Sequence, residues 1–506
     1  MFIRRNKNRS GSVSVQICQK INRSNRVIKT VGIAKTKREE DLLVMLAKTQ
    51  IEQMKGTLGL ELCVESDDLV VENFVNELSV DDFQQVGPEQ VLGRIYQHIG
   101  YPQDGSYRYF KSLVLYRLVY PGSKLRAVQY FSRHMNLNIS VHTIYRFMDE
   151  LSSELKTHVE DLSFAHTTRI VGGEVTVVYY DMTTLYFEAS REDDFRVSGY
   201  SKDGKHSHPQ ILIGLLVTKQ GYPVGYQLFE GSTAETKTLV KVLQAFEERF
   251  DLQKPVLVAD SALLSQKNIN KLNEYSYKYI LGARLKNESE NLKQRILKLK
   301  VTQDKPAELP HRNGRLIITY SAKRAKKDKA NRQKGLERLE KKVSSGKLTK
   351  EHINNRGYNK YLNLQGQTTI NIDYQRFEAD QVWDGLKGYV TNTELTPKQV
   401  SRHYKQLWHI EKAFRISKTD LRIRPVYHRL KNRIEAHICI CFTAYMIYKE
   451  LERLLKTNNI SISAQKAIEE LKEIKQLTYC LPKSKTVKKT VLKPTPLQQR
   501  LLNLQF

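Results

Sequence analysis

Two short apolar runs that each reach an aspartate constrain the fold of this chain more than any other feature. The runs are rich in β-branched residues and extend from Val175 to Asp181 and from Pro255 to Asp260. Apolar runs of this length and pattern are typical of strands buried inside an α/β sheet. An aspartate at the carboxyl end of such a strand lies where open α/β sheets bind ligands. Either aspartate alone is equally well explained as a cap on the following turn or helix.

A third acid, Glu411, lies in a segment with a helical pattern that also carries Tyr404 and Lys418. These residues are spaced seven apart, so one continuous helix would place all three on one face. A lone carboxylate on such a helix is most often part of a solvated salt bridge. Three acids in the order aspartate, aspartate, glutamate, on strand, strand and helix, instead predict a convergent site.

Converging carboxylates raise one another's pKa unless a cation compensates their charge, so the three acids imply a metal. Oxygen ligands alone favour a hard ion, Mg²⁺ or Mn²⁺, over zinc. Two such ions about 3.5–4 Å apart can hold the attacking and leaving oxygens of an in-line displacement at phosphorus. The sequence therefore predicts phosphodiester cleavage and strand transfer with two divalent ions.

With these motifs the chain resembles the DDE transposases of bacterial insertion sequences, in the subgroup whose ribonuclease H-like core is interrupted by a long insertion before the glutamate. The similar segments lie between residues 175 and 445; they are Tyr180-Asp181-Met-Thr-Thr184, Val258-Ala-Asp260-Ser, the Tyr404/Glu411/Lys418 segment and Ile423-Arg-Pro-Val-Tyr-His428. The resemblance implies that Asp181, Asp260 and Glu411 are the catalytic, metal-binding acids. It also implies that Tyr404 and Lys418 hold DNA phosphates near the cleaved bond.

One position departs from the family pattern. The family usually has an arginine three residues after the tyrosine, and this chain has Leu407 there. Lys405 or Arg415 are candidates to replace the missing phosphate contact, although neither occupies the same place on the helix. The basic run that follows includes Arg422 and Arg424, which we also expect to contact DNA.

The charge of the chain agrees with a nucleic-acid substrate. The formal net charge is +29 and the sequence pI is about 9.6, which attracts a polyanion in a salt-dependent way. Five cysteines show no zinc-type spacing, and no segment reaches the roughly 20 apolar residues that a membrane helix needs. The amino terminus lacks the apolar core of a signal peptide. We therefore expect a cytoplasmic protein without a membrane partner, associated with the nucleoid when it is bound to DNA.

Five segments are predicted along the 506 residues. The fold class is α/β, a ribonuclease H-like mixed sheet with an inserted subdomain, preceded by a helical DNA-binding region. The predicted segments are a basic strand and helix region (1–100), a helical region (101–172), the catalytic core (173–284 and 376–450), a basic inserted subdomain (285–375) and a basic helical tail (451–506).

The helical region contains a possible helix-turn-helix. A first helical pattern begins near Ser123, and Ser140 precedes the second pattern as a helix cap does. Thr143 and Arg146 would face a DNA groove from the second helix. Many helix pairs have this pattern without binding DNA. The amino-terminal basic residues, among them Arg4 and Arg5, are as compatible with a DNA-touching arm as with a disordered terminus.

The insertion accounts for the distance between the second and third acids, 411 − 260 = 151 positions, where a helix and strand crossover needs about 30. A lysine- and arginine-rich helix over 322–342 is either a solvated face or a contact to the DNA backbone. Trp383 either stacks on a base swung out of the duplex, as the resemblance implies, or is buried in a small β subdomain.

Three histidines have simpler explanations than metal binding. His206 and His208 are expected in a surface loop, and His437 in the core. The predicted function is a transposase that binds its element's ends and target DNA and acts as an oligomer, a dimer on DNA. The alternatives are a metal-dependent nuclease that never joins ends and a catalytically inactive DNA-binding relative.

Overall fold

The structure is a computed structural model of the 506-residue chain. It describes all residues except 9, 22–23, 56–61, 106, 152, 189–190, 200–206, 235–237, 251–253, 264, 304, 346–347, 349–352, 355–356, 366–368, 482–483 and 485. The expectation for His206 therefore lies outside the described residues. The chain packs into two compact units, Met1–Gln84 with Gln476–Leu492, and Gln85–Lys475 with Lys493–Phe506. The five predicted segments stay a prediction.

The strands and helices run through the whole chain in the following order. The strands are β1 (Phe2–Lys7), β2 (Val13–Ile21), β3 (Ser24–Ala34), β4 (Phe83–Gln85), β5 (Val177–Tyr186), β6 (Gln210–Thr218), β7 (Pro223–Glu230), β8 (Val256–Ala259), β9 (Tyr279–Ala283), β10 (Ala307–His311), β11 (Gly314–Tyr320), β12 (Leu362–Gln365), β13 (Thr369–Ile372), β14 (Leu386–Thr391), β15 (Lys475–Cys480) and β16 (Val487–Val491). The helices are α1 (Lys37–Lys55), α2 (Leu62–Glu77), α3 (Arg94–Ile99), α4 (Tyr107–Val119), α5 (Lys124–Met135), α6 (Val141–Glu150), α7 (Ser153–Val171), α8 (Leu239–Phe250), α9 (Gln266–Glu274), α10 (Glu290–Lys298), α11 (Ala322–Ser344), α12 (Tyr374–Ala379), α13 (Pro397–Lys405), α14 (Trp408–Thr419), α15 (Lys431–Thr457), α16 (Ala464–Lys472) and α17 (Pro496–Leu502).

The first unit is built on an antiparallel sheet in the order β1-β2-β3, with α1 packed against it. Its core consists of Val15 and Ile17 from β2 and of Ala47 and Ile51 from α1. Strands β2 and β3 and helix α1 confirm the strand and helix content predicted for the first 100 residues. The amino-terminal basic residues up to Lys7 lie on β1, which pairs with β2.

The second unit contains an eight-stranded mixed sheet among its described residues, in the order β10-β11-β14-β9-β8-β5-β6-β7. Strands β5, β6 and β7 are antiparallel neighbours, and β8 and β9 continue from β5 in parallel. The turn between β6 and β7 contains Gly221 at φ +83°, a conformation that glycine adopts without a steric penalty. This mixed sheet and the helices that precede it confirm the predicted α/β fold class.

Two strands of the predicted insertion extend this same sheet. Strand β11 pairs with β14, and β10 pairs with β11 at the sheet edge. The predicted basic helix is α11, whose Leu339 packs with Tyr361 and Leu362 in a small apolar cluster. The inserted chain therefore both widens the sheet and adds a small core of its own.

The helical region shows the predicted cap at Ser140 and a further cap at Ser123. The Ser123 hydroxyl accepts the backbone N–H of Arg126 at the start of α5, and the Ser140 hydroxyl accepts that of Thr143 at the start of α6. The two capped helices are confirmed, and their contact with DNA stays a prediction. Both contact the long helix α15 or its neighbour α4.

Helices cover both faces of the sheet. On one face α8 and α9 contribute Leu243, Phe246 and Leu272 to the main core, and on the other α13 and α14 pack across the middle strands. Helix α15 is buried along most of its length, including Cys439 and Cys441. No helix in the described part of the chain is long and apolar enough to cross a membrane.

Candidate active site

The pairing of β5 with β8 brings the two aspartates to the same level of the sheet. The strands are parallel, and Tyr180 is opposite Ala259, so the next residues, Asp181 and Asp260, are neighbours across strands about 4.8 Å apart. Asp260 follows the last residue of β8, as predicted. The prediction that the first strand ends at Asp181 is wrong, because β5 continues to Tyr186. Residues 182–186 remain extended because they pair with β6.

The side chain of Asp181 lies on the face of the sheet that is covered by α13 and α14. Side chains alternate along a strand, and Tyr179, two residues before Asp181, donates its hydroxyl to Gln406 Oε1 at 2.9 Å in the α13–α14 connection. Tyr180 has the opposite orientation and meets Thr238 at 3.0 Å inside the core. Asp181 is half-buried, and its Oδ1 accepts the N–H of Met182 at 2.8 Å.

Asp260 is held from two sides. Its Oδ1 accepts the backbone N–H of Ser261 at 2.5 Å and the hydroxyl of Tyr404 at 3.4 Å. Tyr404 is only 5% exposed, and burial, followed by the charge of Asp260, raises the pKa of its hydroxyl. The Tyr404 hydroxyl therefore stays protonated and donates to the carboxylate.

The approach of Tyr404 to Asp260 requires a glycine on β9. A Cβ atom at Gly282 would collide with the Tyr404 hydroxyl and lie 3.1 Å from the N atom of Ser261. On its other side the Tyr404 ring packs against Tyr389, with ring centroids 4.7 Å apart. Gly282 therefore leaves the space that the Tyr404 side chain fills.

Glu411 lies in the first turn of a second helix, not on the helix of Tyr404. The expectation of one continuous helix through Tyr404, Glu411 and Lys418 is wrong, because α13 ends at Lys405 and α14 begins at Trp408. Between them the N–H of Leu407 bonds to Tyr404 O and that of Ile410 to Leu407 O. These i to i−3 bonds tighten the helix to about three residues per turn, so seven-residue spacing no longer keeps one face.

The positive charge of Lys387 on β14 interacts with Asp260 and Glu411. Burial and then Arg324 lower the pKa of Lys387, whereas Asp260 and Glu411 act in the opposite direction. Its ammonium nitrogen lies 4.4 Å from the centroid of the Tyr404 ring. Sequence reasoning missed Lys387 and Gly282, because only the pairing of β9 with β14 and the packing of α13 bring them to the acids.

A cleft of about 450 Å³ opens beside Asp260; we call it the Asp260 cleft. It is lined by Asp260, Tyr404 and Trp383 and by four cations, Arg284, Lys286, Arg324 and Lys387. Trp383 is half-buried in the short turn before β14 and packs against the main core. The structure therefore brings Trp383 to the same cleft as the second aspartate, with part of its ring accessible.

A larger basic groove, of about 940 Å³, continues from this cleft and shares Arg324 and Lys387 with it. Seven cations and no carboxylate are among the described residues that line it; the cations are Lys323, Arg324, Lys327, Lys387, Lys398, Arg402 and Lys405. Three of them come from the first turns of α11. The exposed ring of Trp408 also borders this groove.

The other residues predicted to contact DNA line neither the Asp260 cleft nor the basic groove. Lys418 is half-buried at the end of α14 and borders a small cavity with Thr183, which shares the face of Asp181. Arg415 is exposed on α14. Arg422 and Arg424 line a different cavity, between α4, α5 and the segment after α14.

The acids match a divalent metal in donor chemistry. Carboxylate oxygens suit Mg²⁺ or Mn²⁺, and Mg²⁺ is commonly held by one or two carboxylates with water and substrate phosphates completing its shell. Among the described residues, no three His, Cys, Asp or Glu side chains lie close enough to hold an ion by themselves. Asp181 and Asp260 on adjacent strands fit the two-carboxylate arrangement.

Comparison with known proteins agrees with this geometry. A family model described as a transposase DDE domain matches residues 174–447, more than half of the chain and the whole region that carries the three acids. No curated protein sequence gives a significant match.

Three solved structures are similar at low identity. A piggyBac transposase synaptic complex with hairpin DNA is 9% identical, with 76% of each chain covered and a TM-score of 0.37. A Mos1 transposase paired-end complex with the left transposon end is 10% identical over 36% of this chain and 60% of that one, at a TM-score of 0.16. A Mos1 mariner paired-end complex with Mn is 12% identical over 43% and 72%, at 0.15. Because the family model spans more than half of its length, the chain belongs to the DDE transposase family and is a DNA transposase.

Proposed function

We propose that this transposase binds the ends of an insertion sequence, cleaves the DNA there and joins the freed 3′ ends to target DNA. Asp181, Asp260 and Glu411 are the catalytic acids and would hold two Mg²⁺ or Mn²⁺ ions. The observation that carries the proposal is the parallel pairing of β5 with β8, which sets Asp181 level with Asp260 where Tyr404 also reaches Asp260.

Two side chains of the protein, Tyr404 and Lys387, prepare this site. The hydroxyl of Tyr404 orients the Asp260 carboxylate through a hydrogen bond. The positive charge of Lys387 interacts favourably with Asp260 and Glu411, and we assign to it the phosphate contact that the family arginine would make at Leu407. When bound, the metal ions supply a nucleophile of lowered pKa and stabilise the leaving oxygen. No described residue lining the Asp260 cleft is a histidine.

The basic groove is the path we assign to the DNA backbone. Its cations form a continuous lining with those of the Asp260 cleft, and cations that contact phosphates fix the register of DNA without reading its sequence. Trp383 lies at the cleft beside Asp260, where an aromatic ring can stack on an unpaired base. Lys418 and Arg415 extend the basic surface along α14. Joining two element ends requires two active sites, so the active form is a dimer on DNA.

A cleavage and strand-transfer assay on DNA that carries the element ends tests the proposal. With Mg²⁺, the wild type is expected to cut and join, while Asp181→Asn, Asp260→Asn and Glu411→Gln bind DNA normally and lose activity by at least about 1000-fold, since each removes a charged ligand. Lys387→Met is expected to retain part of the activity. Circular dichroism confirms that each variant is folded.

The same assay separates the alternatives. A DNA substrate already cut to expose its 3′-hydroxyl gives joined products only if the protein catalyses strand transfer; cleavage without joining would identify a nuclease. A wild type that binds DNA but neither cuts nor joins with Mg²⁺ or Mn²⁺ would refute the catalytic proposal and leave a DNA-binding relative.

A further inference from the structure

A second cavity, of about 500 Å³, lies between α4, the beginning of α5 and residues 422–428; we call it the Arg117 pocket. Five lysine and arginine side chains and no carboxylate are among the described residues that line it. The five cations are Arg117, Lys124, Arg126, Arg422 and Arg424. Two segments that are distant in sequence thus place their positive charges around one space.

Two of these cations are buried without a negative partner. Arg117 and Lys124 are each 4% exposed, and no carboxylate of the described chain forms an ion pair with either. Arg117 Nη1 lies 3.4 Å from the carbonyl oxygens of Leu421 and of Arg422, while its Nε has no hydrogen-bond partner. A buried charge without a counter-charge destabilises a fold, so the pocket is suited to an anion.

The surroundings of Lys124 reinforce this preference. Lys124 is the first residue of α5, and the amino-terminal end of a helix favours negative charge. Burial, with Arg117 acting in the same direction, lowers the pKa of Lys124 to about 7, and a bound anion would favour its protonated, positively charged form. The buried Nδ1 of His437 also lacks a hydrogen-bond partner at this cavity. Unpaired polar atoms from α4 and α15 and a buried cation from α5 therefore meet at one place.

The pocket is connected to the active-site strand. The N–H of Val426 donates to Tyr186 O at 3.1 Å, and Tyr186 is five residues beyond Asp181 on β5. At about 3.3 Å per residue this separation is about 17 Å, a few nucleotides of DNA.

We propose that the Arg117 pocket binds a phosphate group of the DNA that the active site acts on. Guanidinium groups bind phosphate through paired, charge-assisted hydrogen bonds. The inference rests on the proposed function.

Thermal unfolding of the full chain tests whether the pocket takes an anion. Inorganic phosphate, compared with chloride at matched ionic strength, is expected to raise the Tm of the wild type by about 2–4 °C. Lys124→Met removes the buried charge and keeps the side-chain volume, so this variant should melt higher than the wild type without phosphate and lose most of the phosphate response. Lys271→Met, an exposed lysine on α9, is the matched control and should respond like the wild type.

A salt titration of DNA binding tests whether the anion is a DNA phosphate. Each phosphate contact contributes about 0.9 to the slope of log Kobs against log salt, so Lys124→Met should lower the slope by about that amount while Lys271→Met leaves it unchanged. Arg126→Gln, an exposed change on the same pocket, provides a second variant whose folding is not in question and should act in the same direction.

The outcomes are distinct. A wild type whose Tm is the same in phosphate and chloride would overturn the anion site. A phosphate response that Lys124→Met abolishes, with an unchanged salt slope, would show that the pocket takes a free phosphate ion and would overturn the DNA assignment. Both measurements are made without Mg²⁺, so a failure of the cleavage assay leaves them intact as evidence for the pocket.

Discussion

Gly282 and Tyr404 share one space beside Asp260. The hydroxyl of Tyr404 donates to Asp260 because the absent side chain of Gly282 leaves room for it. Tyr389 supports the opposite side of the Tyr404 ring. The orientation of the Asp260 carboxylate therefore depends on a residue that has no functional group of its own.

This dependence predicts a non-additive pair of substitutions. Tyr404→Phe should slow single-turnover cleavage about tenfold, the effect of losing one hydrogen bond to a charged group. Gly282→Ala should slow it more, because the new Cβ displaces the Tyr404 hydroxyl. The double variant should be faster than Gly282→Ala alone, since removing the hydroxyl gives room to the Cβ.

Tyr389→Phe is the matched control for this pair. It removes a hydroxyl next to the same ring, one that lies 3.4 Å from Thr319 and not at Asp260, and should leave cleavage near the wild-type rate. If the effects of Gly282→Ala and Tyr404→Phe simply multiply in the double variant, the shared space has no role in catalysis.

The sequence pattern identified residues whose side-chain type is unusual for their position. It missed residues whose role depends on contacts with distant parts of the chain. Asp181 and Asp260 stand out because acids are rare in buried apolar runs. Lys387 and Gly282 are unremarkable in sequence, and only the pairing of β14 with β9 and the packing of α13 place them at the acids. Arg117 and Lys124 escaped notice because burial of a cation cannot be read from its local sequence.

At the scale of elements, the connection between α13 and α14 sets the position of the third acid. The helical pattern continues through Gln406 and Leu407, so the sequence predicts one helix. In the structure Tyr179 from β5 donates to the Gln406 side chain, and the backbone tightens there. The Ser140 cap was predictable because it acts within its own segment, whereas this break involves a contact from a distant strand.

Helix α11 is divided in role along its length, and this division predicts a difference in salt dependence. Lys323 and Lys327 line the basic groove, so replacing both by Gln should lower the salt slope of DNA binding by about 1.8, two phosphate contacts. Affinity should fall equally for element ends and unrelated DNA, because phosphate contacts carry no sequence information.

Lys341→Gln with Lys342→Gln is the matched control. It removes the same charge from the same helix at exposed positions outside the groove, and the salt slope should stay at the wild-type value. Equal slopes for the two double variants would mean that the net charge of the helix, and not the groove, governs binding.

At the scale of the whole second unit, a buried network of ion pairs and hydrogen bonds joins three parts of the chain. Glu450 on α15 is fully buried; it accepts from Tyr222 in the β6–β7 turn at 2.7 Å and from Arg453 at 2.6 Å. His166 Nε2 on α7 lies 3.3 Å away. Burial raises the pKa of Glu450, but the contacts of His166, Arg453 and Tyr222 outweigh it and lower the pKa to about 2.

The lowered pKa predicts a pH-dependent contribution to stability. The carboxylate stabilises the fold above its ordinary pKa of 4.5, and this contribution is lost as the pH falls towards about 2. Glu450→Gln should therefore lower the free energy of unfolding by up to about 3 kcal/mol at pH 7. In urea titrations, the difference in unfolding free energy between Glu450→Gln and the wild type should disappear below pH 4.5. A difference that persists at the lowest pH would show that the variant loses stability through packing instead of charge.

The predicted elements account for most of the molecule, while the arrangement between them required the structure. The sheet strands, the capped helices and the basic helix α11 follow from local patterns. The addition of β10 and β11 to the core sheet does not, because a strand's partner depends on contacts far along the chain. The same limit applies to the Arg117 pocket, which two distant segments enclose.

The register in which β11 pairs with β14 affects how the chain between them can vary in length. Tyr320, where the chain leaves the sheet, is paired with Leu386, where it returns, so residues 321–385 form a detour that begins and ends at hydrogen-bonded neighbours. The entropic cost of closing such a detour grows only slowly with its length. This excursion can therefore be lengthened or shortened, and with it the chain that carries the basic helix α11, without moving the strands that position the acids.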